Sequence, residues 1–263
     1  MEDLDPATSS LRNEQRQLDD LAAVGIRSNL SVVRQSERFD LYRAAIRRLD
    51  AAELVYPCFC TRREIRDAAT APHGTHQPDG AYPGTCRHLS ERDRLAYLRA
   101  GRRPALRLRA DEQPYTVQDA ICGDYNGLVD DVVLQRNDGT PAYNLAVVVD
   151  DDEQGVTEVV RGDDLLSSTP RQLHLQHLLG FRHPSYAHVP LALGQDGARL
   201  TKRHGSVTRA EWLQSGSSDA ALVGLLASSL GLCREGSEID AYELVDGFSF
   251  ARLRRSPWIV QHS

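Results

Sequence analysis

The pattern of hydrophobic and polar positions predicts helices in the first part of the chain. The segment "SSLRNEQRQLDDLAAVGI" starts with a serine cap, repeats leucine on one face and stops at Gly25. A second helix is predicted in "SERFDLYRAAIRRLDAAEL", capped by Ser36. Two further helix starts are predicted at Thr61 in "TRREIRDA" and at Ser90 in "SERDRLAYLRAG".

The later part of the chain has the alternating and β-branched runs that are typical of strands. "PALRLRA", "DDVVLQR" and "HVPLAL" fit strands, and we predict that "YNLAVVVDD" is a strand buried on both faces of a parallel sheet. "SSTPRQLHLQHLLG" predicts a helix capped by Thr169 and ended by Gly180. The strand–helix–strand order over 143–193 predicts an α/β fold with an open sheet. The residues after Lys202 have mostly helical patterns.

Composition and charge exclude several classes of protein. The chain has 263 residues, 41% hydrophobic and 26% charged, which suits one large or two small globular domains. No apolar run approaches the ~18 residues that span a bilayer, and the acidic amino end does not resemble a secretory signal. We therefore predict a cytoplasmic protein without a membrane partner. The net charge of −6 disfavours a general nucleic-acid binder, and we predict no DNA partner, but the charge leaves room for a local basic face.

Such a face could lie in the arginine-rich run between Arg87 and Arg109. A phosphate-contacting surface and a solvated helix surface both explain the run, and the second is the simpler interpretation.

Three of the five cysteines bracket a loop rich in Pro and Gly and predict a zinc site. Cys58 and Cys60 form a C-x-C pair, and Cys86 arrives after the loop. Zinc takes four ligands in a tetrahedron, so a fourth donor is needed. The alternative is three free thiols that are close only in sequence. The candidates for the fourth donor are Tyr82, His73, His76 and His88.

The loop "GARLTKRHG" follows a predicted strand and carries Lys202 between Arg199 and Arg203. A lysine beside a hydroxyl residue at the end of a parallel strand could hold a triphosphate, although the glycine spacing differs from that of a P-loop. A basic surface loop is the simpler explanation.

Three stretches in this order, "MEDLDPAT", "PAYNLAVVVDDDEQGVTEVVRGDDLLSSTPRQ" and "RLTKR", resemble the glutamyl class of class I aminoacyl-tRNA synthetases. "RLTKR" is similar to the K-M-S-K-S loop of that class. "CFC…AYPGTC" resembles the zinc motif of one subgroup, the glutamyl-queuosine tRNA(Asp) synthetases, which lack the anticodon-binding domain.

The resemblance implies a Rossmann-type α/β catalytic domain with a zinc-bearing insertion and a small C-terminal helical module. Residues 1–54 would then be a remnant of the first Rossmann half. Residues 55–130 would form the insertion with the zinc site and the acceptor-binding region. Residues 131–198 would be the second Rossmann half, and 199–263 the K-M-S-K-S-like loop and a helical remnant that contacts the tRNA stem.

The implied reaction is the activation of glutamate by ATP with Mg²⁺, followed by transfer to queuosine at the wobble position of tRNA(Asp). The protein would act as a monomer with one structural zinc ion. The resemblance assigns glutamate binding to Glu2, Tyr143 and Arg161, with Arg161 paired bidentately to a carboxylate. It assigns ATP binding and catalysis to Lys202. The implied zinc ligands are Cys58, Cys60, Tyr82 and Cys86.

The family's catalytic domain begins with a strand, a glutamate-binding Arg and Ser, and a His-Ile-Gly-His-type signature that contacts ATP. We find no equivalent in this sequence, where Glu2 stands almost at the amino end. A gene start assigned too far downstream is the explanation that we favour. The others are a fragment and a natural paralogue that has lost adenylation. The alternative functions are a non-catalytic zinc-containing tRNA-binding paralogue and a truncated glutamyl-tRNA synthetase.

Overall fold

Helices and strands alternate along the chain in a computed structural model that describes residues 1–5, 9–61, 63–65, 82–111, 113–200 and 208–260. The helices are α1 Leu11–Ala23, α2 Phe39–Ala51, α3 Glu91–Arg99, α4 Tyr143–Glu153, α5 Thr169–Leu179, α6 Arg209–Gln214 and α7 Asp219–Ser229. The strands are β1 Val55–Cys58, β2 Ala105–Leu108, β3 Pro114–Asp119, β4 Gly123–Leu128, β5 Val133–Gln135, β6 Glu158–Gly162, β7 Ser185–Val189, β8 Ala192–Leu193 and β9 Trp258–Ile259. Within these ranges, no helix has the length and apolar character that crossing a membrane requires.

A mixed four-stranded sheet, in the order β4-β3-β7-β6, positions the residues of the candidate site. Strands β6 and β7 are parallel, with Arg161 opposite His188, and α5 connects them. Strand β3 is antiparallel to β4 and parallel to β7. Because parallel strands end at the same edge, the carboxyl ends of β3, β6 and β7 bring Asp119, Arg161 and His188 together. An antiparallel sheet β1-β2-β5 and a parallel pair β8-β9 complete the described strands.

The α/β architecture with parallel strands is confirmed, but the predicted strand at "YNLAVVVDD" is wrong because this segment is helix α4. Its residues from Leu145 to Asp150 are all buried, and the helix contacts α2 and α5. A helix that is apolar on every side has no 3.6-residue polar periodicity, so its sequence resembles that of a buried strand. The parallel pair is instead made by "EVVRG" in β6 and "SYAHV" in β7.

Helix α4 is held by the largest hydrophobic core. Tyr42, Leu49 and Leu145 are each at most 1% exposed there, together with Leu134 of β5 and Leu175 of α5. Burying each such side chain contributes about 2 kcal/mol. This packing fixes the first residue of α4, Tyr143, relative to the sheet.

The capping signals in the sequence are confirmed at several helix starts. The Oγ atom of Ser90 accepts a hydrogen bond from the Asp93 amide at 3.2 Å, and Thr61 forms the predicted capping box with Glu64. Helix α5 ends at Gly180, whose φ of 65° is in the left-handed region that favours glycine. Thr169 is the first residue of α5 rather than its cap.

The arginine-rich run is only partly a solvated surface, so the simpler interpretation is wrong for three of its members. Arg87 forms an ion pair with the buried Asp131 at 2.5 Å, and Arg109 donates to the Arg87 carbonyl oxygen at 2.9 Å. Arg107 is 6% exposed, and its guanidinium carbon lies 3.7 Å from the centre of the Tyr82 ring. These arginines attach the segment that carries Tyr82 to strand β2 and to Asp131.

Candidate active site and metal centre

A buried carboxylate attaches the first residues of the chain to helix α4. Asp150 is 6% exposed and accepts hydrogen bonds from the Tyr42 hydroxyl at 2.8 Å, from Arg38 Nε at 2.8 Å and from Gln35 Nε2 at 3.0 Å. The backbone N–H of Gln35 donates to the carbonyl oxygen of Met1 at 3.1 Å. Asp150 therefore fixes the residue range that contains Glu2 next to the helix that contains Tyr143.

Arg161 lies near the carboxyl end of β6 and is fixed by three neighbours. Its Nε donates to His188 Nε2 at 3.1 Å, and its Nη2 donates to Thr169 Oγ1 at 2.9 Å and to Gln172 Oε1 at 2.8 Å. These bonds use three of the five N–H groups of a guanidinium and leave the two on Nη1. A bidentate pairing would also need an N–H of Nε or Nη2, which already donate to protein acceptors, so Nη1 is the nitrogen of Arg161 that these three hydrogen bonds leave for a ligand.

The residues around Arg161 combine one positive charge with carboxyl groups that resist ionisation. Burial raises the pKa of Asp151 to about 6, although the positive charge of Arg161 acts in the opposite direction. Burial likewise raises the pKa of Glu2, against the effects of the amino terminus and Arg161. Burial, together with the negative charge of Glu2, raises the pKa of the Tyr143 hydroxyl, against the effect of Arg161. An ammonium group bound here would stabilise both carboxylates.

The structure thus brings together three of the predicted site residues, Glu2, Tyr143 and Arg161. It also adds Asp151, which the sequence interpretation missed. The run of aspartates from Asp150 to Asp152 was the signal in the sequence that could have indicated Asp151. The predicted strand concealed it, because a strand would place Asp151 on the opposite face from Asp150. Lys202 lies outside the described residues, and its role stays a prediction. Its neighbour Arg199 forms an ion pair with Asp164.

Replacing Asp151 by asparagine should stabilise the fold and weaken the binding of an amino acid. Since the pKa of Asp151 is raised on folding, the folded protein binds a proton more tightly, and stability falls as pH rises from about 4 to about 6. At pH 7.5 the asparagine variant should be more stable by about 1 kcal/mol, a value reduced for partial solvation. The gain should vanish near pH 4 in thermal unfolding.

The same variant should bind glutamate about tenfold more weakly at pH 7.5, because it lacks the charge that attracts the ammonium group. Calorimetric titration measures this change. Asp152→Asn is the matched control, since Asp152 accepts a hydrogen bond from the Arg182 amide at 3.3 Å. Equal effects of the two substitutions on glutamate affinity would contradict a role of Asp151 in the site.

The three cysteines of the predicted zinc site form a compact cluster with Tyr82. The sulfur atoms of Cys58, Cys60 and Cys86 lie within 4.8 Å of one another. Cys60 Sγ is 3.4 Å from Cys86 Sγ, and the Tyr82 hydroxyl is 3.3 Å from Cys58 Sγ and 3.5 Å from Cys60 Sγ. Ligands of a tetrahedral zinc ion with Zn–S bonds of about 2.3 Å are separated by about 3.8 Å, so the four donors are near the required spacing.

The surroundings of the cluster also suit a metal ion. Cys58, Tyr82 and Cys86 are each at most 5% exposed, and burial raises the pKa of Cys60 to about 12. Thiols so close together need a nearby cation if they are all to ionise to thiolates. Of the other candidate donors, His88 is exposed, while His73 and His76 lie outside the described residues. The cysteine cluster could therefore hold a metal ion, with Tyr82 placed as the fourth donor.

An open cleft of about 1210 Å³ connects the two sites. Its lining includes Glu2 and Tyr143 as well as Cys58 and Cys60. Three arginines, Arg102, Arg103 and Arg136, also line it, together with the acidic Asp5 and Asp138. The cleft is thus large enough for a nucleotide beside an amino acid.

The parallel strands, the candidate site at their carboxyl ends and the cysteine cluster agree with a match to the family model described as class I tRNA synthetases (E and Q), catalytic domain, over residues 1–258. The chain belongs to this family. Among its relatives is a Nocardia farcinica protein named glutamyl-Q tRNA(Asp) synthetase, 54% identical over 99% of this chain and 81% of the relative. A protein of the same name from Symbiobacterium thermophilum is 45% identical over 85% of this chain and 70% of the relative.

A further relative, glutamate–tRNA ligase 2 of Syntrophus aciditrophicus, is 38% identical over 97% of this chain, which spans only 55% of that protein. A solved structure of a glutamate tRNA ligase from Elizabethkingia meningosepticum superposes with a TM-score of 0.78 over 98% of this chain. The chain spans 59% of that structure, and the 21% identity shows a shared fold alone.

Proposed function

We propose that this protein activates glutamate with ATP and transfers it to queuosine at the wobble position of tRNA(Asp). The Nocardia farcinica protein named for this activity is 54% identical and is matched over 81% of its own length. The glutamate–tRNA ligase from Syntrophus aciditrophicus is matched over only 55%. The identity to two proteins of this name, 54% and 45%, is higher than the 38% identity to the glutamate–tRNA ligase, and this favours the queuosine enzyme over a tRNA(Glu) ligase.

The observation that carries the proposal is the fixed guanidinium of Arg161 beside the carboxyl groups of Glu2 and Asp151. In this proposal, Arg161 Nη1 binds a carboxylate of glutamate, the two carboxyl groups attract its ammonium, and Tyr143 contacts the bound amino acid. An oxygen of the α-carboxylate attacks the α-phosphorus of ATP, the bond to the bridging oxygen breaks, and pyrophosphate leaves. The site contributes positioning and charge complementarity.

The proposal includes roles for Mg²⁺-bound ATP at Lys202 and for one zinc ion at Cys58, Cys60, Tyr82 and Cys86. Four protein donors close the coordination of zinc, so the ion would stabilise structure rather than activate water. We also propose the division into 1–54, 55–130, 131–198 and 199–263 that the resemblance implies.

Glutamate-dependent ATP–pyrophosphate exchange tests the adenylation step. It is measured on the complete gene product, including any in-frame residues upstream of Met1. Exchange should require glutamate and should not occur with aspartate or glutamine. Absence of exchange with tRNA binding retained would support the non-catalytic alternative instead.

Transfer is tested by charging tRNA(Asp) with and without queuosine, and tRNA(Glu), with labelled glutamate. We expect label only on the queuosine-containing tRNA(Asp). Label on tRNA(Glu) alone would replace the proposal by a truncated glutamyl-tRNA synthetase.

A further inference from the structure

At the end of strand β3, a buried aspartate organises the turn that leads into β4. One carboxylate oxygen of Asp119 accepts hydrogen bonds from the backbone N–H groups of Ile121 at 3.0 Å, Cys122 at 2.8 Å and His188 at 3.2 Å. Burial alone would raise the pKa of Asp119, but the hydrogen bonds from Cys122 and His188 hold it below its usual value. Asp119 is therefore an ionised acceptor at neutral pH.

The second oxygen of Asp119 determines which nitrogen of His188 carries a proton. It lies 2.6 Å from His188 Nδ1, and both side chains are 0% exposed. Since an ionised carboxylate only accepts, Nδ1 is the donor. Burial lowers the pKa of His188 despite the nearby carboxylate, so the imidazole is neutral and its Nε2 has a free lone pair.

That lone pair faces Arg161. The Nε–H of Arg161 donates to His188 Nε2 at 3.1 Å, and the two residues are direct partners in the parallel register of β6 and β7. The ring of Tyr186 lies nearly parallel to the imidazole, with 6.1 Å between ring centres. The imidazole thus connects a fixed carboxylate to the guanidinium that the site uses.

Asp119, His188 and Thr169 could also be interpreted as a catalytic triad with Thr169 as the nucleophile, but the Thr169 hydroxyl is not accessible to a substrate. Thr169 Oγ1 is 3.3 Å from His188 Nε2, but Thr169 is 0% exposed. Its hydroxyl donates to the Leu165 carbonyl oxygen at 3.3 Å and accepts from Arg161 at 2.9 Å. The hydroxyl therefore acts with the histidine in holding Arg161, and no substrate can reach it.

We propose that Asp119 and His188 are positioning residues, which fix the guanidinium of Arg161 through a neutral imidazole that is protonated only on Nδ1. This inference rests on the proposed function for the ligand that Arg161 binds, but the state of the imidazole is a property of the chain itself. The pair makes Nε of Arg161 unavailable to substrate and directs Nη1 to the carboxylate. Neither Asp119 nor His188 touches the substrate.

The state of the imidazole is tested directly by long-range proton–nitrogen NMR of the histidine-labelled protein at pH 7. We expect His188 Nδ1 to carry a proton and Nε2 to have the shift of an unprotonated ring nitrogen. A proton on Nε2, alone or in a charged ring, would overturn the proposal whatever the activity of the protein. His174, whose Nδ1 lies 2.6 Å from the Tyr115 hydroxyl, is another buried histidine for comparison.

The positioning role is tested by the kinetics of glutamate-dependent exchange. His188→Phe keeps a ring but removes the acceptor, and it should raise the KM for glutamate about tenfold or more while the KM for ATP changes less than about twofold. His188→Gln places a carbonyl oxygen near Arg161 and should recover part of the loss. Asp119→Asn should also raise the KM for glutamate, because an amide can donate to Nδ1 and so put the proton on Nε2.

His174→Gln is the control, since it replaces a buried histidine that is 2% exposed and is not among the three acceptors of Arg161. An unchanged KM for glutamate in active His188→Phe protein would overturn the inference. If the wild-type protein shows no glutamate-dependent exchange, the proposed function fails, and the NMR result still decides the proposal about the imidazole.

Discussion

Replacement of Arg161 by lysine is expected to weaken glutamate binding by about a hundredfold, close to 3 kcal/mol. The guanidinium satisfies His188, Thr169 and Gln172 and still presents Nη1, whereas a lysine has three donors on one nitrogen and cannot reach all of these groups. The variant would lose the contact with the carboxylate of glutamate, and it would also leave buried acceptors without a hydrogen-bond donor. The two free-energy costs add. Isothermal titration with glutamate on the complete gene product measures the change.

The matched control is Arg43→Lys on helix α2. Arg43 is 55% exposed and pairs only loosely with Asp40 at 3.1 Å, so this change should alter glutamate affinity by less than about twofold. Thermal unfolding of both variants separates a binding defect from a folding defect. Glutamate affinity within threefold of wild type in folded Arg161→Lys protein would remove Arg161 from the site.

Replacement of Cys86 by serine is expected to abolish zinc binding and to destabilise the protein by about 3 kcal/mol or more. The cysteine cluster joins the end of β1 to the turn that follows Tyr82, and the loss of one thiolate leaves two thiolates and a phenol without a complete tetrahedron. The midpoint of thermal unfolding should fall by about 6 °C or more. Elemental analysis should find about one zinc ion per wild-type chain and almost none in the variant.

Cys233→Ser is the control for this experiment. Cys233 is a half-buried free cysteine whose sulfur contacts the Gly224 carbonyl oxygen at 3.3 Å, and serine can keep that hydrogen bond. Its zinc content and unfolding midpoint should match the wild type. A chelator should reduce the stability of the control to that of Cys86→Ser. Wild-type protein that is free of zinc after purification without chelator would refute the metal site.

Helix caps, turns and short strands could be predicted because each depends on neighbours in sequence. Ser90 caps α3 through an amide three residues later, and Gly180 ends α5 by its own backbone conformation. Helix α4 could not be predicted in this way. Its burial between α2 and α5 removes the polar side that distinguishes a helix from a buried strand.

The residues of the candidate site also differ in whether they could be predicted from local sequence. Glu2, Tyr143, Arg161 and the cysteines could be found from motifs, and the structure brings the first three together and clusters the cysteines with Tyr82. The roles of Asp151, Asp119 and His188 could not, because each depends on a partner distant in sequence. His188 and Asp119 are separated by 69 positions and meet only through the parallel pairing of β3 with β7.

The sequence alone determined the family, the α/β class and the residue types available for an amino acid and a metal ion. Those features are local, because motifs, helix caps and ligand spacings each depend on residues that are close together in the sequence. The tertiary structure decided which N–H groups of Arg161 remain for substrate and which carboxyl groups resist ionisation. It also decided which arginines are structural. These properties arise from burial and from contacts between distant segments, and both exist only when the chain is folded.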